Sequence, residues 1–223
     1  MFPARLLIPV DDDDGFRRVS VQMAETGEIS KAARWRMPRA LSEIAAPTQD
    51  QLGLISKARD SIEFSRLAAK RWKHYVTTGT AATSLEELSA LIANDPKGEF
   101  CFFLSLSAPW FTGGILGEVM LRRTWCHHIF MDFLYAHPSI SGKVAVVKKG
   151  VGYALLISVV ALARILEVPL IWGEATEGSA AWYEDLFKRP VKDHFSIEGA
   201  LLRGFSDKFD VALQLAAEEP EDE

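Results

Sequence analysis

Hydrophobic and polar positions change their period several times along the chain, and each change predicts an element. Between residues 50 and 76, Leu54, Ile55, Ala58, Ile62, Leu67 and Trp72 recur at helical spacing, with Lys57, Arg59, Glu63, Arg66, Lys70 and Arg71 between them. Apolar residues three and four apart share one stripe of a helix, so this stretch predicts an amphipathic helix. A turn-rich TTGTAATS follows. Ser84, three residues before Glu87, then reads as a capping box opening a short helix over SLEELSALIAN, which ends at Asn94-Asp95-Pro96-Lys97-Gly98.

From Glu99 the period falls to two. Phe100–Ser107, Ile115–Arg122 and Cys126–His137 predict three strands, with a turn at Pro109–Gly114. The loop Pro138–Lys149, rich in Ser, Gly and Lys, leads into an apolar helix over Gly150–Leu166. Pro169–Trp172 predicts a buried strand, Glu177–Phe187 a helix, His194–Ile197 a short strand and Ala200–Ala217 a last helix before an acidic tail. Residues 1–48 are less regular: strands at Leu6–Val10 and Arg18–Ala24, a solvated loop at Asp11–Asp14 and a turn at Thr26-Gly27. Strands joined by short turns should pair antiparallel, and the strand–helix–strand unit over 126–172 should form a right-handed parallel crossover. The expected class is α/β (α+β), a mixed, mostly antiparallel sheet with helices on both faces. The expected organisation is an N-terminal extension over 1–48, a central domain over 49–198, and a C-terminal helix with its tail over 199–223.

Composition narrows the function classes. The 223 residues carry 25 Lys+Arg against 30 Asp+Glu, a net charge of −5, and are 48% hydrophobic. That balance excludes collagen-like and wholly disordered chains. It also argues against a nucleic-acid partner, which needs clustered cations. Arg34, Arg36, Arg39 and the basic face of 57–73 are the places where such a partner would bind. Cys101 and Cys126 make no disulfide framework, so a reducing, cytoplasmic setting is expected. The N-terminus lacks the apolar core and cleavage site of a secretory signal. The most membrane-like run, Tyr153–Ala163, is eleven residues long and is closed by Arg164 and Glu167, against the roughly 20 residues a span needs, so no membrane partner is expected.

Three features bear on chemistry. Cys126-His127-His128 looks metal-binding, but neighbours on a strand point to opposite faces and no CxxC or HxxxH partner exists, so no metal is expected. Asp132, a carboxylate inside the apolar IFMDFLYA, and Glu118 on the preceding strand are alternative general bases, because burial raises a carboxyl pKa toward neutrality. By alternation His128, Phe130, Asp132, Leu134 and Ala136 share a face. The structural alternative for Asp132 is an ion pair with Arg122 or Arg123. Third, a helix opening at Gly150-Val151-Gly152, beside Lys143, Lys148 and Lys149, suits a pyrophosphate. Glycines let backbone N–H groups approach an anion, and the helix dipole favours negative charge.

The ordered spacing of these parts resembles the GNAT superfamily of acyl-CoA-dependent N-acyltransferases. Gly150 and Gly152 take the places of the family's two glycines, Ala154-Leu155-Leu156 continues its helix, the strand PLIW begins at the expected distance, and Tyr183 in EGSAAWYEDLF takes the place of its helix tyrosine. The likeness is best over about 99–197. The chain departs from the pattern at Val147, where Arg or Gln is usual, at Thr176 and Ser179, at Phe187-Lys188, and in a longer loop before Gly150. The resemblance implies transfer of an acetyl or other acyl group from acetyl-CoA or another acyl-CoA to a small-molecule or protein amine. It implies that Leu134, Tyr135 and Ala136 offer backbone groups to the pantetheine arm. Lys148, Lys149, Gly150, Val151, Gly152 and Tyr153 would hold the pyrophosphate, and Tyr183 would act as general acid. A second reading is a fold of this kind without turnover, serving as a binding or assembly module; a homodimer is compatible with either.

Overall fold

The computed structural model describes residues 2–9, 15–141 and 150–218. Among them a seven-stranded sheet runs in chain order through β1 (Ala4–Pro9), β2 (Phe16–Met23), β3 (Phe100–Ser107), β4 (Ile115–Arg123), β5 (Ile129–Ala136), β6 (Leu170–Glu174) and β7 (His194–Glu198). Every neighbouring pair is antiparallel except β5 and β6, which are parallel. The helices are α1 (Thr26–Ala32), α2 (Arg39–Ser42), α3 (Gln49–Thr78), α4 (Leu85–Asn94), α5 (Pro138–Ser141), α6 (Val151–Ile165), α7 (Glu177–Phe187) and α8 (Gly199–Glu218). The mixed, mostly antiparallel sheet with helices on both faces is the architecture that the periodicity predicts.

One sheet face packs on α6 and α8, the other on α1 and α3. Eleven of the fifteen α6 residues are buried, which is why that helix is apolar all round. The long α3 buries a stripe of mostly small residues, Ala58, Ser61, Ile62, Ser65, Ala68 and Trp72, so its axis lies close to the sheet. Leu67, in the apolar series of the sequence, falls outside this stripe and is exposed. Its start is fixed by Thr48 and Gln51, which cap one another's backbone N–H, and its end by Gly79, whose φ of 70° is a left-handed conformation suited to glycine.

The sheet runs across the division drawn from the sequence at residue 48, since β1 and β2 form its edge, and α8 packs against β1 and α6. Three local expectations are corrected. Thr26 and Gly27 open α1, because the preceding Glu25 and Glu28 form a reciprocal cap that a Ser/Thr-based pattern does not detect. Ser84 does accept the Glu87 N–H at 3.1 Å, but the Glu87 carboxylate reaches one residue further back, to the N–H of Thr83 at 2.7 Å. Cys126–His128 is a turn before β5, closed by the Thr124 N–H on the His128 carbonyl, with His127 at φ 59°. Asp11–Asp14 and the acidic tail lie outside the described residues.

Candidate active site

The parallel strands β5 and β6 stay together for three residue pairs, Ile129–Ile171, Phe130–Trp172 and Met131–Gly173. Beyond Met131 they part, and a cleft of about 570 Å³ opens between them. Leu134, Tyr135 and Ala136 of β5 line one side, Glu174, Trp182 and Tyr183 the other, and Lys57, Asp60 and Phe64 of α3 close the outer edge. A strand edge without a neighbour carries free N–H and C=O groups, so this stretch of β5 can bond an extended ligand.

The N-terminus of α6 stands beside the cleft. Its cap, Gly150, has φ 124°, a conformation that side-chain-bearing residues rarely adopt, and among the described residues no side chain caps the first turn or places an acid in it. The first N–H groups of the helix therefore retain their positive potential. Gly117 on β4 lets this turn sit low on the sheet: a Cβ there would lie 2.7 Å from both the Tyr135 carbonyl oxygen and Val151 Cγ1. A Cβ on Gly152 would point at Trp182, 3.4 Å away, and at Leu134, both cleft residues.

Asp132 is the extra residue of a β-bulge. Met120 pairs with Phe133 and Leu121 with Met131, so nothing on β4 opposes it. The bulge breaks the alternation expected from the sequence. Asp132 turns to the α3 face, with Arg122 and Arg71, whereas Leu134 and Ala136 pack toward α6. Its side chain is 1% exposed and accepts three hydrogen bonds from two guanidiniums: Arg71, Arg122 Nε at 2.5 Å and Arg122 NH2 at 3.1 Å. Arg122 also bonds Glu99 at 2.9 Å, and Tyr75 donates to the same carboxylate at 2.6 Å. Arg71 lies over the Phe133 ring and Arg122 over Phe130, at 5.1 and 4.8 Å.

Glu118 sits one strand in from the cleft, on the same α3 side. Residues paired across antiparallel strands share a face, so Gln22, Ser105, Glu118 and Tyr135 form a polar row across β2 to β5. Glu118 is fully buried. The Tyr135 hydroxyl donates to its Oε2 at 2.8 Å, while its Oε1 and Ser105 Oγ have no partner among the described residues. Burial pushes the Glu118 carboxyl up to about 7, with a smaller push from Glu28 and an opposing one from the Tyr135 hydrogen bond. His137, at the end of β5, is wedged against Trp35 and Phe111, and burial lowers it to about 4.

Of the residues singled out in the sequence, Asp132, Leu134, Tyr135, Ala136, Gly152 and Tyr183 line one cleft. Gly150 and Val151 form the adjoining helix start, and Tyr153 turns to Phe205, 6.3 Å away. Glu118 lies behind Tyr135 rather than on the cleft wall. Lys143, Lys148 and Lys149 lie outside the described residues. Tyr183 is buried, stacked on Phe195 at 4.2 Å, and burial raises its hydroxyl pKa. Sequence reasoning missed Phe64, Asp60 and Trp182 as cleft residues. Trp182 is next to Tyr183, but an aromatic on a helix reads equally well as core. Among the described residues no cluster of three His, Cys, Asp or Glu is placed to hold a metal, and no helix is long and apolar enough to cross a membrane.

No family model and no curated protein sequence matches the chain. Solved structures do. A GNAT-family protein from Desulfovibrio desulfuricans is 13% identical, with 81% of this chain and 98% of that one covered and a TM-score of 0.48. The PaiA N-acetyltransferase of Thermoplasma acidophilum, solved with coenzyme A, is 9% identical over 81% and 99% of the two chains, with a TM-score of 0.43. A GNAT-family acetyltransferase from Staphylococcus aureus Mu50 is 12% identical over 80% and 97%, with a TM-score of 0.42.

Proposed function

We propose that the protein is an acyltransferase that moves an acetyl or similar group from acyl-CoA to an amine. The observation that carries this reading is the parting of β5 from β6 beside an uncapped, glycine-opened helix N-terminus. An unpaired strand edge suits the amides of a pantetheine arm, and free helix N–H groups suit a pyrophosphate. The residues present therefore fit the group. Acyl-CoA, when bound, supplies a thioester whose acyl group an amine can take, releasing the thiol.

The chain's own residues supply the proton handling. An attacking amine must lose a proton. Glu118, held near neutrality by burial, is the base, and Tyr135 is its link to the cleft: the phenol hands its proton to Glu118 and takes the amine's. Asp132 is the poorer base, because its carboxylate is occupied by Arg71 and Arg122; it fixes those cations and the bulge. Tyr183, on the opposite wall, gives its proton to the departing thiolate and regains one from solvent. Titrating the protein with CoA and acetyl-CoA, then assaying CoA release with amines, tests this. Binding with turnover supports it, binding without turnover leaves a binding module, and no binding at millimolar CoA removes it.

A further inference from the structure

A second groove, of about 600 Å³, lies on the α3 face next to the cleft. Phe133 lines both spaces, and Asp132, which lines the cleft, is bound by Arg71 and Arg122, which line the groove. The two spaces therefore share one wall. The groove is cationic: Lys70, Arg71, His74 and Arg122 line it together with aromatic rings. In a chain of net charge −5, α3 carries no acidic residue from Ser65 to its end at Thr78, but it does carry Arg66, Lys70, Arg71 and Lys73 there.

The carboxylates that face these cations are Asp132, taken up by Arg71 and Arg122, and Glu99, taken up by Arg122 and Tyr75. Lys70 has no ion pair or hydrogen bond among the described residues. Arg71 spends one N–H on Asp132, lies over the Phe133 ring at 5.1 Å, and is half-exposed at 51%, so its other donors remain open to the groove. A guanidinium fixed on one side and open on the other is a preorganised fork for a carboxylate or phosphate, with Lys70 beside it as a second charge.

We propose that this groove holds an anionic group, a carboxylate or phosphate, carried by the acceptor itself. The acceptor is then an amine with an anionic end, seated on Lys70 and Arg71, whose amino group passes Phe133 into the cleft. This assignment of substrate class rests on the acyltransferase reading.

Inorganic phosphate and acetate, titrated separately against the CoA-free protein and followed by the NMR signals of the Arg71 and Arg122 side-chain Nε–H groups, test the groove without any activity. Lys70→Met and Arg71→Gln should each weaken phosphate binding about tenfold, the scale of one charge-assisted hydrogen bond. Lys70 touches no carboxylate among the described residues, so Lys70→Met keeps the test sound if Arg71→Gln does not fold. Phosphate should still bind with CoA at saturation. No phosphate binding, binding indifferent to Lys70→Met, or binding abolished by CoA overturns the proposal. In the transfer assay, 4-aminobutyrate should exceed butylamine, and O-phosphoethanolamine should exceed ethanolamine, by about tenfold or more in kcat/KM; the larger ratio tells which anion is natural. Equal use within both pairs overturns the acceptor assignment. A groove that binds phosphate in a protein that does not bind CoA overturns that assignment together with the acyltransferase reading and leaves an anion site.

Discussion

The hydroxyl of Tyr135 donates a 2.8 Å hydrogen bond to Oε2 of Glu118, directly across the β4–β5 pair, and the other carboxyl oxygen has no partner among the described residues. A buried carboxyl in this state prefers its proton, which makes stability depend on pH. From the ordinary glutamate value of 4.5 up to about 7, the unfolded chain has lost this proton and the folded chain still holds it. Glu118 therefore makes stability fall as pH rises through that window and level off above it, by about 3 kcal/mol in all. Glu118→Gln should remove this fall. Denaturant unfolding at pH 5 and pH 8 checks it; an equal difference between the two pH values in wild type and variant would show that Glu118 is not the group responsible.

Tyr135→Phe deletes the one hydrogen bond that steadies the ionised carboxylate. The pH at which stability levels off should move upward, and turnover at neutral pH should fall because the link to the cleft is gone. Turnover equal to wild type would take Tyr135 out of the proton path.

Asp132→Asn takes the anion from Arg71 and leaves the largely buried Arg122 with Glu99 alone. With that second carboxylate kept, a loss of about 1–3 kcal/mol and a fall in Tm are expected. Turnover per folded molecule should fall far less than in Glu118→Gln. A greater loss of rate than of stability would make Asp132 the base.

Tyr183→Phe keeps a ring stacked on Phe195 and removes only the hydroxyl. Stability and CoA affinity should stay close to wild type while kcat falls about 10²–10⁴-fold, the usual scale of general acid catalysis. Unchanged kcat would return Tyr183 to a packing role.

Gly117→Ala places a Cβ 2.7 Å from a strand carbonyl oxygen that cannot yield. A loss of about 1–3 kcal/mol is expected, as for other overpacked sites, with weaker CoA binding as the start of α6 is displaced. A variant as stable as wild type would mean that α6 does not need this close approach.

Most of the sheet was legible because its strands are apolar runs with marked ends. Phe100–Ser107 and Glu177–Phe187 match the elements read from the sequence, the first ending before the turn that begins at Pro109 and the second opening after Thr176. The relationships between elements were not legible. A bulge has no sequence signature, so alternation put Asp132 on the face of Leu134 instead of opposite it. Arg71 and Asp132 are 61 positions apart, and Tyr135 and Glu118 are 17 apart; the packing of α3 on β5 brings the first pair together and the β4–β5 register the second. Glu118 and Asp132 looked alike as candidate bases in the sequence; what separates them is that two arginines reach one and only a tyrosine reaches the other.

Calorimetric titration of CoA into wild type and Gly152→Val tests most directly whether the cleft beside α6 binds acyl-CoA. Valine adds bulk where the first turn of α6 faces Leu134 and Trp182 across the cleft, in a helix that tolerates it. Wild type should bind with Kd between about 1 μM and 1 mM, the range typical of KM values for enzyme substrates, and affinity should be at least tenfold weaker in a variant that melts at about the wild-type temperature. No binding to wild type at millimolar CoA, or the same Kd in both proteins, would contradict it.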